Sequence, residues 1–161
     1  MAFDRIDESA TRAEPHPAVT KKGHSGHRHA FSKGDTAISI IVPEHSGLAS
    51  PNAKSWEGIP DAGVSRHVIN LALNVVKDGA RANHFSHPIE LRVKMTSADR
   101  NKSEPKLMVH WHEGDAARMR WMEIPSAWTE EHEGKKFHKD HDDLVMFLTY
   151  WPDDPGIGLD P

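Results

Sequence analysis

The sequence predicts an all-β protein, an antiparallel β-sandwich of six to eight strands with an extended N-terminal arm and a short C-terminal tail. Apolar and polar residues alternate over residues 89–96 and again over 107–112, so each segment would bury one face of a strand. Residues 113–116 are typical of a tight turn that leads to a third strand around Trp121. No segment has a secure helical period.

The first part of the chain predicts an arm followed by a strand. Residues 1–34 lack a sustained apolar period and contain several prolines and glycines, which is typical of an extended polar segment. Their apolar content is too small to stabilise the body, so we expect them to bind a partner instead. The first strand should cover residues 36–42, where Ile38, Ile40 and Val42 share one side.

The middle of the chain holds a long connection and one ambiguous segment. Residues 44–63 form a connection whose length is typical of a functional or partner-binding loop. Residues 66–76 fit a helix and a strand alike, because apolar residues recur at both spacings. We favour the strand, since β-branched residues and asparagines are poor helix formers.

The last third predicts a polar excursion, a strand and a tail. Residues 125–142 are polar, with Trp128 and Phe137 as isolated anchors. Residues 144–151 are apolar on both sides, which indicates a strand covered on both faces by its own chain or by another subunit. Residues 152–161 are rich in proline, glycine and aspartate, so we expect a tail that cannot continue a central strand. The predicted division is an arm at 1–34, a sandwich domain at 35–151 and a tail at 152–161.

One stretch of the body resembles a known architecture. A strand led by Pro88, a second strand from Leu107 to Trp111, a Gly114-Asp115 turn and a strand with Trp121 follow one another. This succession is similar to that of many immunoglobulin-like sandwiches. The resemblance covers under a third of the chain and includes no function-bearing motif. It implies an immunoglobulin-like or jelly-roll-like architecture alone.

Composition restricts the classes of partner and compartment. A chain of 161 residues and 18.0 kDa has room for one core. Its net charge of -4 gives no general attraction to nucleic acid or membranes, so neither is an expected partner. The absence of cysteine excludes disulfides and thiolate sites. With no apolar segment typical of a signal peptide or membrane span, we expect a cytoplasmic origin, compatible with incorporation into a particle.

Thirteen histidines raise the question of a metal site. His110 and His112 share one strand face and are the best candidates, because side chains two residues apart in a strand point the same way. His84 and His87 form a second pair. The alternative is a set of structural or surface histidines. We favour that alternative and predict neither a metal ion nor another cofactor.

The expected partner-binding residues lie in the arm and the long loops. Between residues 20 and 33 the charged side chains are all basic, and one aromatic residue accompanies them. The two loops each contribute one tryptophan. The predicted partner-binding set is Lys21, Lys22, Arg28, Phe31, Lys33, Trp56 and Trp128.

The expected function is structural. The sequence contains no serine-hydrolase elbow, phosphate-binding glycine loop or zinc-protease helix motif, so we predict no enzyme. Polar arms on a cysteine-free sandwich suit an accessory protein that docks onto a larger protein assembly, such as a decoration or stabilising protein of a phage-like particle, with homo-oligomers compatible. The alternative is a ligand-binding module, with metal bound through the histidines or carbohydrate through the tryptophans.

Overall fold

The computed structural model describes residues 11–12, 16–33, 36–46, 48–54, 66–77, 80–101, 104–112, 114, 118–152 and 156–159. Within them the protein is all-β, as predicted, and every paired strand is antiparallel. Several strands are short, so the described residues form fourteen strands instead of the predicted six to eight. In chain order these are β1 (Thr11–Arg12), β2 (His16–Val19), β3 (Ser25–Lys33), β4 (Thr36–Pro43), β5 (Leu48–Lys54), β6 (Arg66–Lys77), β7 (Ala80–Ala82), β8 (His84–Lys94), β9 (Leu107–Trp111), β10 (Arg120–Glu123), β11 (Thr129–Glu130), β12 (His138–Asp140), β13 (Asp143–Tyr150) and β14 (Gly156–Leu159).

Helical structure is confined to short connections in the described part of the chain. Helix α1 (Ser97–Asn101) begins with reciprocal bonds: the backbone N–H of Asp99 donates to Thr96 Oγ1, and that of Thr96 donates to the Asp99 carboxylate. A 3-10 turn covers Ser126–Trp128. No helix among the described residues has the length and apolar character needed to span a membrane.

The first sheet has the strand order β1-β3-β4-β8-β13-β11, with β2 also paired to β3 and β12 to β13. The predicted alternation of β8 sends Leu91 to the inner face, opposite Ile40 of β4 and Met146 of β13. Glu90 and Arg92 lie on the other face. Strand β8 therefore carries both the apolar core and a row of charges.

The second sheet has the order β10-β9-β14-β6-β5, with β7 also paired to β6. Strand β6 runs over Arg66–Lys77, which confirms the strand interpretation of the ambiguous segment. One hydrophobic cluster draws side chains from both sheets, so they share a core. Its fully buried members include Ile89, Leu107 and Trp151.

The N-terminal region differs from the predicted arm. Strand β3 pairs with β4 along its length, and Phe31 lies opposite Ile38 with only 2% of its surface exposed. Gly26 allows a close approach of the two strands, because a Cβ there would overlap the carbonyl oxygen of Val42. The predicted boundary at residue 34 thus falls inside a β-hairpin. Deleting residues 1–34 would remove a core residue, contrary to our expectation that they add little stability.

The C-terminal region also differs from the predicted tail. Strand β14 lies between β9 and β6, where Ile157 is opposite Val109 on one side and Ile69 on the other. Ile157 is fully buried. The prediction was wrong because β14 pairs with a strand on each side and buries Ile157 between two glycines, a pattern too short to show as an apolar period.

Strand β13 is covered on both faces, as its sequence predicted, and the cover comes from its own chain. Leu144, Met146 and Leu148 enter the shared core, while Val145 and Phe147 are buried on the opposite face. The ring centroid of His132 lies 5.5 Å from that of Phe147, and Lys22 Nζ lies 5.9 Å from the same centroid. The segment between β11 and β12 and the turn between β2 and β3 therefore both pack over this face.

Replacing Phe31 by alanine should lower the free energy of unfolding by about 3 to 5 kcal/mol, the usual cost of truncating a buried aromatic residue. Val19→Ala is the control, because Val19 belongs to the neighbouring strand and is 69% exposed. Its effect should stay within about 0.5 kcal/mol. Urea unfolding monitored by fluorescence measures both, and a loss below about 1 kcal/mol for Phe31→Ala would place β3 outside the core.

Candidate functional site

A pocket of about 440 Å³ opens where residues of both sheets meet. We call it the aromatic pocket. Three of its described lining residues are tryptophan or tyrosine, and none is aspartate, glutamate, lysine or arginine. Its described lining consists of His84, Trp111, His112, Met122, Pro125, Ala127, Trp128 and Tyr150.

Strand ends and one 3-10 turn position the aromatic side chains. Trp111 ends β9, and Tyr150 ends β13. Trp128 ends the turn, where its backbone N–H donates to the carbonyl of Pro125 at 2.9 Å. The hydroxyl of Thr129 donates to the carbonyl of Ser126, also at 2.9 Å. These bonds fix the backbone that carries Trp128.

Trp128 is the centre of an aromatic cluster. Its ring centroid lies 6.4 Å from that of Trp111, 5.5 Å from Tyr150 and 5.8 Å from Trp151, with tilted or edge-on geometry throughout. Trp151 is fully buried, and its backbone N–H donates to the carbonyl of Asn83. Because such arrangements are favourable for aromatic rings, the cluster holds Trp128 in one orientation. Trp128 lies in a pocket wall, and its role as a partner-binding anchor remains a prediction.

Two histidines add polar groups to the aromatic wall. The ring of His112 stacks on Trp111 with centroids 4.7 Å apart. Its Nδ1 is buried and has no hydrogen-bond partner among the described residues. His84 is exposed, and its ring centroid lies 4.9 Å from that of Tyr150. The pocket therefore offers flat apolar surfaces together with hydrogen-bonding nitrogens.

The metal candidates do not converge on one position. His110 is buried with its ring 5.3 Å from that of Trp121, whereas His112 stacks on Trp111. His87 stacks on His24 at 4.8 Å instead of joining His84. No group of three histidines or carboxylates in the described part of the chain could hold a metal ion. That the protein binds no metal remains a prediction.

Three of the four basic residues of the predicted partner-binding set contact groups of their own chain. Lys21 Nζ lies 2.9 Å from a carboxylate oxygen of Asp140, and Lys22 Nζ lies 2.7 Å from one of Glu130. Arg28 donates to the hydroxyl of Ser39 at 3.1 Å. The two lysine contacts hold the turn between β2 and β3 against β12 and β11, and the Arg28 contact joins β3 to β4.

The remaining partner-binding residues have three different outcomes. Phe31 cannot serve as a surface anchor, because it is buried in the core. Lys33 is the last residue of β3, paired with Thr36 in the hairpin. Trp56 lies outside the described residues. Docking onto a larger assembly remains a prediction.

A charge cluster that the sequence analysis missed lies on the outer face of the first sheet. Arg92 donates to Asp143 at 2.9 Å, to Glu90 at 3.0 Å and to Asp140 at 2.5 Å. Glu90 is 1% exposed and also accepts the backbone N–H of Lys21 at 2.6 Å. We call these five residues the Arg92 cluster. Its sequence signal was the pair of opposite charges two residues apart on the polar face of β8.

The cluster shifts the pKa values of Arg92 and Asp140. Burial opposes the charge of Arg92, but hydrogen bonds to three carboxylates outweigh this effect and raise its pKa. The hydrogen bonds from Arg92 and Lys21 lower the pKa of Asp140 from 3.8 to about 2. Arg92 and Asp140 are thus held in their charged forms.

Comparison with protein-family models, with curated proteins and with solved structures finds no match for this chain. The function must therefore be argued from the sites themselves.

The lowered pKa of Asp140 predicts a specific acid sensitivity. Because the folded-state pKa lies below the ordinary value, the ionised carboxylate stabilises the fold above about pH 4, and this stabilisation is lost as the pH falls towards about 2. Asp140→Asn should remove about 1 to 2 kcal/mol at neutral pH and flatten the loss of stability in that interval. Urea unfolding from pH 6 to pH 2 measures the difference.

Asp142→Asn is the matched control, because Asp142 is a neighbouring carboxylate whose side chain is 66% exposed and lies 3.5 Å from Arg100. It should leave the acid profile nearly unchanged. Equal profiles for Asp140→Asn and the unmodified protein would contradict the role of the Arg92 cluster.

Proposed function

We propose that this protein is a ligand-binding domain that holds a neutral saccharide in the aromatic pocket. The observation that carries this proposal is a cavity of about 440 Å³ in which Trp111, Trp128 and Tyr150 meet with no charged group among the described lining residues. Ligand pockets are typically about 300 to 1,000 Å³ and combine apolar walls with few polar groups. Carbohydrate binding through tryptophans was one of the alternatives raised by the sequence.

The aromatic rings and the histidines of the pocket match the apolar faces and the hydroxyl groups of a sugar. The C–H bonds on the face of a pyranose ring pack against aromatic faces, which Trp111 and Trp128 supply. The hydroxyl groups need hydrogen-bond partners, and the nitrogens of His84 and His112 are the candidates.

Preorganisation supports binding by this pocket. Trp128 is held by its contacts with Trp151 and Tyr150, so little side-chain freedom remains to be lost when a ligand stacks on it. Strand ends from both sheets form the walls, and the core shared by the sheets supports the predicted sandwich arrangement. The pocket would thus be built on a rigid scaffold.

We propose binding without catalysis, because no carboxylate among the described lining residues could act as an acid or base on a glycosidic bond. Metal binding has weaker support, because His87 stacks on His24 and His112 stacks on Trp111, so neither predicted histidine pair converges on one point. The assembly role has lost support at Phe31, which is buried, and at Lys21 and Lys22, which pair with carboxylates of the chain.

Titration with a panel of neutral mono- and oligosaccharides, monitored by tryptophan fluorescence and by NMR, tests the proposal. At least one sugar should bind saturably, and Trp128→Ala should weaken its binding by about tenfold or more, equivalent to about 1.4 kcal/mol. Trp128→Phe should retain part of the affinity, because it keeps an aromatic face.

Trp121→Ala is the matched control, since Trp121 is also half-buried but contacts His110 outside the aromatic pocket. Its affinity should equal that of the unmodified protein, with thermal melts confirming that each variant is folded. Lack of response to every neutral sugar, or equal losses in Trp121→Ala and Trp128→Ala, would overturn the proposal.

A further inference from the structure

A second cavity, of about 530 Å³, lies between the segment that precedes β9 and the segment around β12. Lysines dominate its walls, although the whole chain carries a net charge of -4. We call it the basic cleft, and its principal lining residues are Lys106, Lys135, Lys136, Phe137, His138 and Lys139.

Positive charge exceeds negative charge in the described part of the cleft. Lys106 and Lys136 both approach Glu123, with nitrogen–oxygen distances of 3.8 and 3.2 Å, so they share one carboxylate. Glu104 is the only acidic residue among the described lining residues. Lys135 is exposed and forms no ion pair with a described residue. Lys139 Nζ donates to the backbone carbonyl of Arg100 at 3.3 Å, which leaves its charge in place. The described lining thus contains four lysines and one carboxylate, which favours an anionic ligand.

Two uncharged features distinguish the cleft from a group of surface lysines. The ring of His138 lines the cleft, and its Nε2 is buried without a hydrogen-bond partner among the described residues. Phe137 presents an aromatic ring that packs against the hydrophobic core, with Lys136 Nζ 5.6 Å from its centroid. The cleft therefore combines cationic groups, one unsatisfied nitrogen and an apolar surface.

We propose that the basic cleft binds a phosphorylated small molecule of nucleotide size. Its phosphate groups would contact Lys135 and Lys139, and its planar or apolar part would pack on Phe137. Lysine is a common phosphate ligand and acts as a point charge. The cavity volume falls in the range of small-molecule sites, about 300 to 1,000 Å³.

A small phosphorylated ligand fits the charge distribution better than a nucleic acid does. Proteins that bind duplexes commonly neutralise about six to ten phosphates through an extended basic surface. Here the excess of lysine is local, and Lys21, Lys22 and Arg92 of the first sheet are already paired with carboxylates. The proposal concerns a cavity separate from the aromatic pocket and does not depend on saccharide binding.

The test uses the full chain with inorganic pyrophosphate and, separately, ATP, both without added metal, at low and high salt. Calorimetry and NMR titration should give saturable binding that weakens at high salt, with shifts at Lys135 to Lys139. Lys135→Glu/Lys139→Glu should weaken both ligands at least tenfold. Arg118→Glu is the control, because Arg118 is an exposed cation that does not line the cleft.

A second variant separates the phosphate contacts from the aromatic contact. Phe137→Leu keeps an apolar side chain against the core but removes the flat ring, so it should weaken ATP several-fold and leave pyrophosphate unchanged. This difference would also distinguish a nucleotide ligand from a simple phosphate ligand.

Three results would overturn the proposal. The first is no binding of either ligand at millimolar concentration. The second is an equal loss in Arg118→Glu and in the double variant, which would indicate general charge attraction. The third is binding of a single-stranded oligonucleotide through the same lysines while pyrophosphate and ATP do not bind, which would make the cleft a nucleic-acid interface.

Discussion

The burial of β13 on both faces is the constraint on which the rest of the structure depends. Its inner face packs in the core shared by the two sheets. On its outer face Phe147 is buried only because other segments of the chain cover it. The segment between Trp128 and Asp140 supplies much of this cover through His132. That segment carries the aromatic pocket at one end and the basic cleft at the other. The need to bury one apolar strand therefore positions both candidate sites.

The Arg92 cluster adds ion pairs and hydrogen bonds to the apolar contacts on the outer face of the first sheet. A carboxylate as buried as Glu90 is costly unless cations and N–H groups surround it, and here Arg92 and the backbone of Lys21 do so. The hydrogen bonds join three separate segments: β8, the turn after β2, and β12 with the start of β13. Desolvation offsets much of the attraction within a buried ion pair, so we expect the cluster to act mainly by fixing which groups lie together. The cluster thus specifies where the polar segments lie over the sheet.

Sequence alone could predict the strands whose alternation is strong, and it could not predict those held mainly by backbone pairing. The pattern from Ile89 to Met95 identified β8, and the pattern from Leu107 to Trp111 identified β9. Among the side chains that the structure describes, β3 and β14 each have one deeply buried apolar residue, Phe31 or Ile157, and local periodicity cannot distinguish it from an isolated apolar residue. The two pockets could not be predicted from the sequence either, because their lining residues are distant from one another along the chain. The tryptophans indicated carbohydrate binding as an alternative function, but no sequence pattern predicted that Trp111 and Trp128 would line the same pocket.

The central position of β14 has a consequence for the order of folding. During synthesis β6 and β9 leave the ribosome well before residues 156–159. Strand β6 can pair with β5, and β9 with β10, but the edge of each that faces β14 stays unpaired until those residues arrive. The pairings of β14 with β6 and β9, which join the two halves of the second sheet, cannot form before that moment. Strands β4, β8 and β13 of the first sheet can already pair. Such late, long-range pairing makes folding slow and leaves two strand edges open to wrong partners. A nascent chain halted before residue 156 would be the species most prone to aggregation and most dependent on chaperones.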